Sequence, residues 1–200
     1  MQRRSQETLD RLLDAAEHLL GEGGPDGATL RAIAEQAGVS VGIVYRRFPD
    51  KDTVLRAAYM RFFERALATN EAAFVSAHWE KLSASEIARR FTEGMVAGMR
   101  RHRTLLRALL LYARTHEDAE FRRRAETMNE ATYRWLTTLL LSRGSSMGHP
   151  DPESAVPFAI RLVASLAQDQ ILFRAGRQPL SAEQLVAELT RAFVGYLGIR

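Results

Sequence analysis

The chain contains no cysteine, and only two of its 28 basic residues, Lys51 and Lys81, are lysine. Without thiols there can be no disulfide, no thiolate metal site and no thiol redox sensor, which fits a reducing compartment. Long apolar runs are missing as well: none approaches the roughly 18 residues needed to span a bilayer. The first residues, MQRRSQETLDRLL, are charged and lack the apolar stretch of a secretory signal. These absences predict a cytoplasmic protein with no membrane association. The five histidines (His18, His78, His102, His116, His149) show no metal-ligand spacing, and no HExxH pattern occurs, so neither metal nor cofactor is expected. An enzyme would need a nucleophile with its base, a metal set or a phosphate-cradling loop. The one glycine-rich stretch, GEGGPDG, follows a helical pattern and has no lysine, so catalysis is not expected.

What is present is a chain of 200 residues, 46% hydrophobic, long enough for one large domain or a small domain joined to a larger one. The net charge of +4 permits nucleic-acid binding without arguing for it, since residues 1–60 hold eight Lys/Arg against nine Asp/Glu. The case must rest on where the charges sit.

Apolar residues recur at helical spacing almost everywhere, and no alternating strand pattern is evident. Leu9, Leu12, Leu13, Ala16, Leu19 and Leu20 form one face of a first helix that Gly21, Gly23, Gly24 and Pro25 end. Thr29 caps a second helix burying Leu30, Ile33, Ala34 and Ala37, and Gly38 stops it in a left-handed turn. Ser40 opens a third, which runs to about Arg47, and Asp50 caps a fourth reaching to about Phe74. Ser83 and Glu86 form a capping box for a fifth helix, the arginines and histidine at 100–103 break it, and a sixth holds Leu105, Leu106, Leu109 and Leu110. The pattern predicts a long seventh helix from about Asp118 to Gly144, an eighth over 152–175, and a ninth opened by Ser181 and Gln184 that buries Leu185, Leu189, Phe193 and Tyr196. The expected fold is all-α with about nine helices.

Within this plan, EQAGVSVGI is a helix-turn-helix signature over about 28–47, whose second helix is the one that enters a major groove. Gly42 sits inside that short helix, where glycine costs roughly 1 kcal/mol relative to alanine. A bare backbone there permits close approach to DNA. Whichever of Val41 and Ile43 points outward can touch a thymine methyl, and Arg46 can reach a guanine edge. Tyr45 and Arg47 flank that stripe and are assigned to phosphates. Lys51 lies in the first turn of the fourth helix, where the helix dipole repels a cation unless an anion such as a DNA phosphate is near. Thr29 has the same opportunity at its own helix start.

Residues 5–65 resemble the DNA-binding domain of the TetR family of bacterial repressors. The resemblance is carried by Thr29, Ile33-Ala34, Ala37-Gly38-Val39-Ser40, Gly42, Tyr45, Phe48, Lys51 and Leu55. It implies phosphate contacts by Thr29, Ser40, Tyr45 and Lys51, and base reading by Val41, Gly42 and Arg46. The Arg46-Arg47 pair departs from the aromatic or histidine that many members carry after the tyrosine, which leaves the operator sequence open. The resemblance also implies that 66–200 form a ligand-binding and dimerisation domain, with the eighth and ninth helices as the dimer surface. The eighth helix is apolar on two faces, Val156, Ile160, Val163, Ala167 and Ile171 on one and Phe158, Leu162, Leu166 and Phe173 on the other. Phe91, Met95, Met99, Met128 and Trp135 either line an apolar inducer pocket or pack as ordinary core. Asp169 is either its polar anchor or a solvated residue. The arginines at 100–124 either bind an anionic ligand or form solvated faces paired with Glu117, Asp118 and Glu120. The expected function is a homodimeric repressor that a small-molecule inducer releases from a palindromic operator in double-stranded DNA. An activator, a regulator without a small ligand and a helical protein-interaction module remain as alternatives.

Overall fold

The computed structural model describes residues 2–76, 79–173 and 180–200. Among these the chain forms ten α-helices and no strand: α1 Gln2–Gly27, α2 Leu30–Gln36, α3 Val41–Arg47, α4 Lys51–Ser76, α5 Ala84–Arg101, α6 Arg103–Thr115, α7 Ala119–Thr127, α8 Glu130–Leu141, α9 Pro152–Gln168 and α10 Ala182–Leu197. A π-helical turn, Asp169–Phe173, prolongs α9. The predicted end of the eighth helix at Ala175 and the GRQP break lie outside the described residues, as do residues 77–78 of the predicted loop.

Caps set most boundaries as the side-chain chemistry requires. The Thr29 hydroxyl accepts from the amide of Ala32 at 3.1 Å, and the Asp50 carboxylate accepts from the Thr53 amide at 2.8 Å. Ser83 with Glu86 and Ser181 with Gln184 close reciprocal capping boxes. Gly38, at φ 65°, ends α2 with two backbone bonds, Gly38 N to Glu35 O and Val39 N to Ala34 O. That pairing needs a left-handed residue, which glycine adopts without strain.

Two boundaries differ from the periodic pattern. Helix α1 passes through Gly21 and Gly23 and breaks only at Gly24, where φ is 66°. The predicted seventh helix is two, α7 and α8, parted at Met128 and Asn129. Its apolar spacing persists across the break, so period alone could not reveal it. The predicted eighth and ninth helices are therefore α9 and α10.

The chain divides into two compact units, one of residues 1–68 with 102–128 and one of 69–101 with 129–200. The first unit thus holds α6 and α7 as well as the N-terminal helices. Its core joins Leu12, Ala16 and Leu20 of α1 to Ile33 of α2, Val44 of α3, and Tyr59 and Phe63 of α4. Tyr59, Tyr112 and Phe121 close it with ring centroids 4.8–5.9 Å apart. Arg61 ties α4 to α1 through Asp14 at 2.8 Å and Glu17 at 2.7 Å.

In the second unit, α9 packs against α5, α8 and α10. Val156, Ile160, Val163, Ala167 and Ile171 are buried, whereas Phe158, Leu162, Leu166 and Phe173 are exposed. Leu185, Leu189, Phe193 and Leu197 form the buried stripe of α10, and Tyr196, expected inside, is exposed against Phe158. The segment Pro152–Phe173 is long and apolar enough to cross a membrane, contrary to the reading of the sequence. Its inner face is core of this unit, however, and Arg161 lies midway along it.

Candidate nucleic-acid interface

Helix α3 is held by one face. Val44 is fully buried and Phe48 nearly so, as their four-residue spacing predicts, and Ile43 is half-buried. The opposite face carries Val41 (38% exposed), Gly42, Tyr45 (56% exposed) and Arg46. Val41, not Ile43, is therefore the outward aliphatic residue. A Cβ added at Gly42 would meet nothing in the protein closer than the Ser40 hydroxyl at 4.0 Å. No internal packing demands a glycine at this position.

Ser40 stands at the N-cap of α3 with extended backbone, but its hydroxyl makes no capping bond. The Ile43 amide instead bonds the Ser40 carbonyl at 2.9 Å. Thr29 is exposed at the start of α2, and Lys51, half-buried, is the first residue of α4. Arg47, assigned to a phosphate, is engaged within the protein. Its guanidinium donates to both the carbonyl and the hydroxyl of Ser5 on α1, so in the unbound chain it anchors that helix. Residues 40, 41, 42, 45 and 46 thus share an exposed surface on one short helix, and the signal that located them was the turn motif.

The six candidate ligand residues are divided between the two units. Met128 packs on the core of the first unit, whereas Phe91, Met95, Met99, Trp135 and Asp169 belong to the second. Phe91 packs beside Phe193, with ring centroids 6.4 Å apart, and Trp135 meets Trp79 edge-on at 5.3 Å. A cavity of about 580 Å³ in the second unit is lined by α5 and α10 residues, including Val96, Ala97, Val186 and Thr190, and by none of the six. The arginines of 100–124 are partly used inside the fold. Arg100 donates to the Leu180 carbonyl at 2.9 Å, Arg122 to the His116 carbonyl at 3.2 Å, and Arg124 pairs with Glu64 and Glu120.

Sequence reading missed a second cluster beside the motif. Asp52, next to Lys51, accepts from the Tyr112 hydroxyl at 3.0 Å and meets His116 Nε2 at 3.2 Å. The His116 ring stacks on Tyr112 at 3.7 Å. No local pattern joins residues 60 positions apart, so only the packing of α6 on α4 could bring this group together.

Both the N-terminal segment and the fold have counterparts among known proteins. Residues 12–58 match the family model for bacterial regulatory proteins of the tetR family. Over 59 residues the chain is 46% identical to the transcriptional repressor KstR of Rhodococcus jostii, covering 30% of this chain and 28% of that protein. Over 68 residues it is 35% identical to the transcriptional regulator UidR of Escherichia coli, covering 34% of this chain and 35% of that one. The similarity to these curated relatives therefore spans about a third of their length. A solved structure from Mesorhizobium loti, described as a TetR-family transcriptional regulator, superimposes with a TM-score of 0.74 at 19% identity, covering 98% of this chain and 97% of the other. Residues 12–58 thus carry the N-terminal segment of the bacterial regulatory proteins of the tetR family, and the chain shares the fold of that solved structure.

Proposed function

We propose that this protein is a homodimeric transcriptional repressor, working in the cytoplasm, that binds a palindromic operator and leaves it when a small molecule binds. The observation that carries the DNA reading is Gly42. The first turn of a short helix keeps a residue that costs up to roughly 1 kcal/mol, at a place where an added Cβ would meet only the Ser40 hydroxyl, at 4.0 Å. The requirement for bare backbone then comes from a surface outside the chain. The exposed Val41, Tyr45 and Arg46 around it supply an apolar contact, a phosphate donor and a fork suited to guanine. Thr29, Ser40 and Lys51 supply further phosphate contacts, and Arg47 joins them only by leaving Ser5.

One seven-residue helix makes too few contacts for a specific site, so the reading requires two copies about a twofold axis, with half-sites roughly 34 Å apart. The exposed Phe158, Leu162, Leu166, Phe173 and Tyr196 on α9 and α10 support a partner surface there. The inducer and operator would oppose each other by linkage, each favouring a different state of the dimer. Duplex binding measured by fluorescence anisotropy between 50 and 200 mM salt tests the reading, with a steep loss of affinity expected. Salt-independent binding, or none to any promoter fragment at low salt, would overturn it.

A further inference from the structure

A cleft of about 650 Å³ opens within the first unit, between the broken end of α1 at Gly23–Asp26, the first turns of α4 and one side of α6. Its volume falls in the range of small-molecule sites, roughly 300–1,000 Å³. Tyr59 lines it: the residue is fully buried, and its hydroxyl has no hydrogen-bond partner among the described residues. A buried hydroxyl left unpaired is destabilising, and folded proteins retain few of them. Burial, followed by the charge of Asp52, pushes the phenol well above its ordinary value, so it stays a protonated donor. It makes no bond to Asp52, whose two carboxylate oxygens accept from Tyr112 and meet His116.

Two cations, Lys51 and Arg107, also border the cleft, with no ion-pair partner among the described residues. Two carboxylates, the exposed Asp26 and Asp52, share the lining, but neither forms an ion pair with Lys51 or Arg107 among the described residues. Leu55, Ala108 and Leu111 make the remaining wall apolar. Lys51 and Tyr59 are eight residues apart on α4, which is roughly 12 Å along the helix.

From this arrangement we infer that the cleft binds a medium-length organic acid carrying a second oxygen, a hydroxy or keto acid. Its carboxylate lies among Lys51 and Arg107, its hydrocarbon on Leu55 and Leu111, and its far oxygen accepts from Tyr59. Because Lys51 is also the proposed phosphate contact, acid and DNA compete for one cation; this competition rests on the operator reading above.

Three probes test it in calorimetry and thermal unfolding of the full chain: 8-hydroxyoctanoate, octanoate, which lacks the far oxygen, and 1,8-octanediol, which lacks the charge. At about a hundredfold excess over its Kd, 8-hydroxyoctanoate is expected to raise the unfolding midpoint by about 5–10 °C. Octanoate should bind about tenfold more weakly, and the diol should give no shift. Tyr59→Phe should leave the midpoint without probe no lower and abolish the preference for the hydroxy acid. Arg107→Gln, at an exposed position, should weaken both acids about tenfold. Absence of any shift, or a preference that survives Tyr59→Phe, overturns the site. Undiminished duplex affinity at saturating 8-hydroxyoctanoate overturns the competition. Should the chain bind no duplex even without acid, the failure belongs to the operator reading, and the Tyr59→Phe comparison still decides the cleft.

Discussion

Gly42 and Arg46 separate what a residue does for the fold from what it does for a partner. Replacing Gly42 with alanine meets no obstruction inside the protein and removes a helix-weakening residue. Gly42→Ala is therefore expected to raise stability by about 0.5–1 kcal/mol while lowering duplex affinity. Chemical denaturation and anisotropy on the same variant check both signs; a drop in stability would show that the fold itself requires the glycine. Arg46→Ala should cost about 1–3 kcal/mol of operator affinity and relax base preference, read by competition between duplexes that differ at single positions. Lys51→Ala should weaken all duplexes alike and flatten the salt slope by about one unit. The three effects differ because, in the proposed interface, one residue governs approach, one reads bases and one meets backbone charge.

At the scale of elements, charge joins helices distant in sequence. Asp118 caps α7 through the Phe121 amide at 2.9 Å and bonds the Arg56 guanidinium of α4. The Arg56 bond first, and the Phe121 amide second, hold its carboxyl at about 2 against an ordinary 3.8. A depressed folded-state value contributes stability that is fully present above about pH 4 and is lost as the pH falls towards 2. Asp118→Asn keeps a good capping side chain but removes the charge. Its urea midpoint should therefore fall less than that of the parent chain between pH 5 and pH 3. Equal falls would show that Asp118 is not the group responsible. Arg61 likewise joins α4 to α1, with only 13% of its side chain exposed and Glu17 nearly as buried.

For the whole molecule, the decisive feature is a helix with two apolar faces and core for only one of them. The outer face, with Phe158 at 54% and Leu162 at 43% exposure, is where a second copy is proposed to pack. Leu162→Glu leaves the buried face of α9 untouched. It is expected to keep the helical spectrum, turn the proposed dimer into a monomer in sedimentation, and lower operator affinity by removing the second reading head. A dimer that persists in this variant would place the interface elsewhere.

Local chemistry by itself determined the helices, their caps and the motif, because each depends on residues within one or two turns: Thr29 with Ala32, Ser181 with Gln184, Gly38 with the end of α2. It also determined the exposed stripe of α3, since burial of Val44 and Phe48 follows from their spacing. Only tertiary structure decided that Arg47 reaches Ser5, that Asp52 receives Tyr112 and His116, and that Tyr59 lacks an acceptor. It also parted the seventh helical pattern at Met128, assigning that residue to a different unit from Met95 and Trp135. Caps and periodicity are short-range properties of the chain, whereas hydrogen-bond partners and cavities arise from elements that meet only when the helices pack.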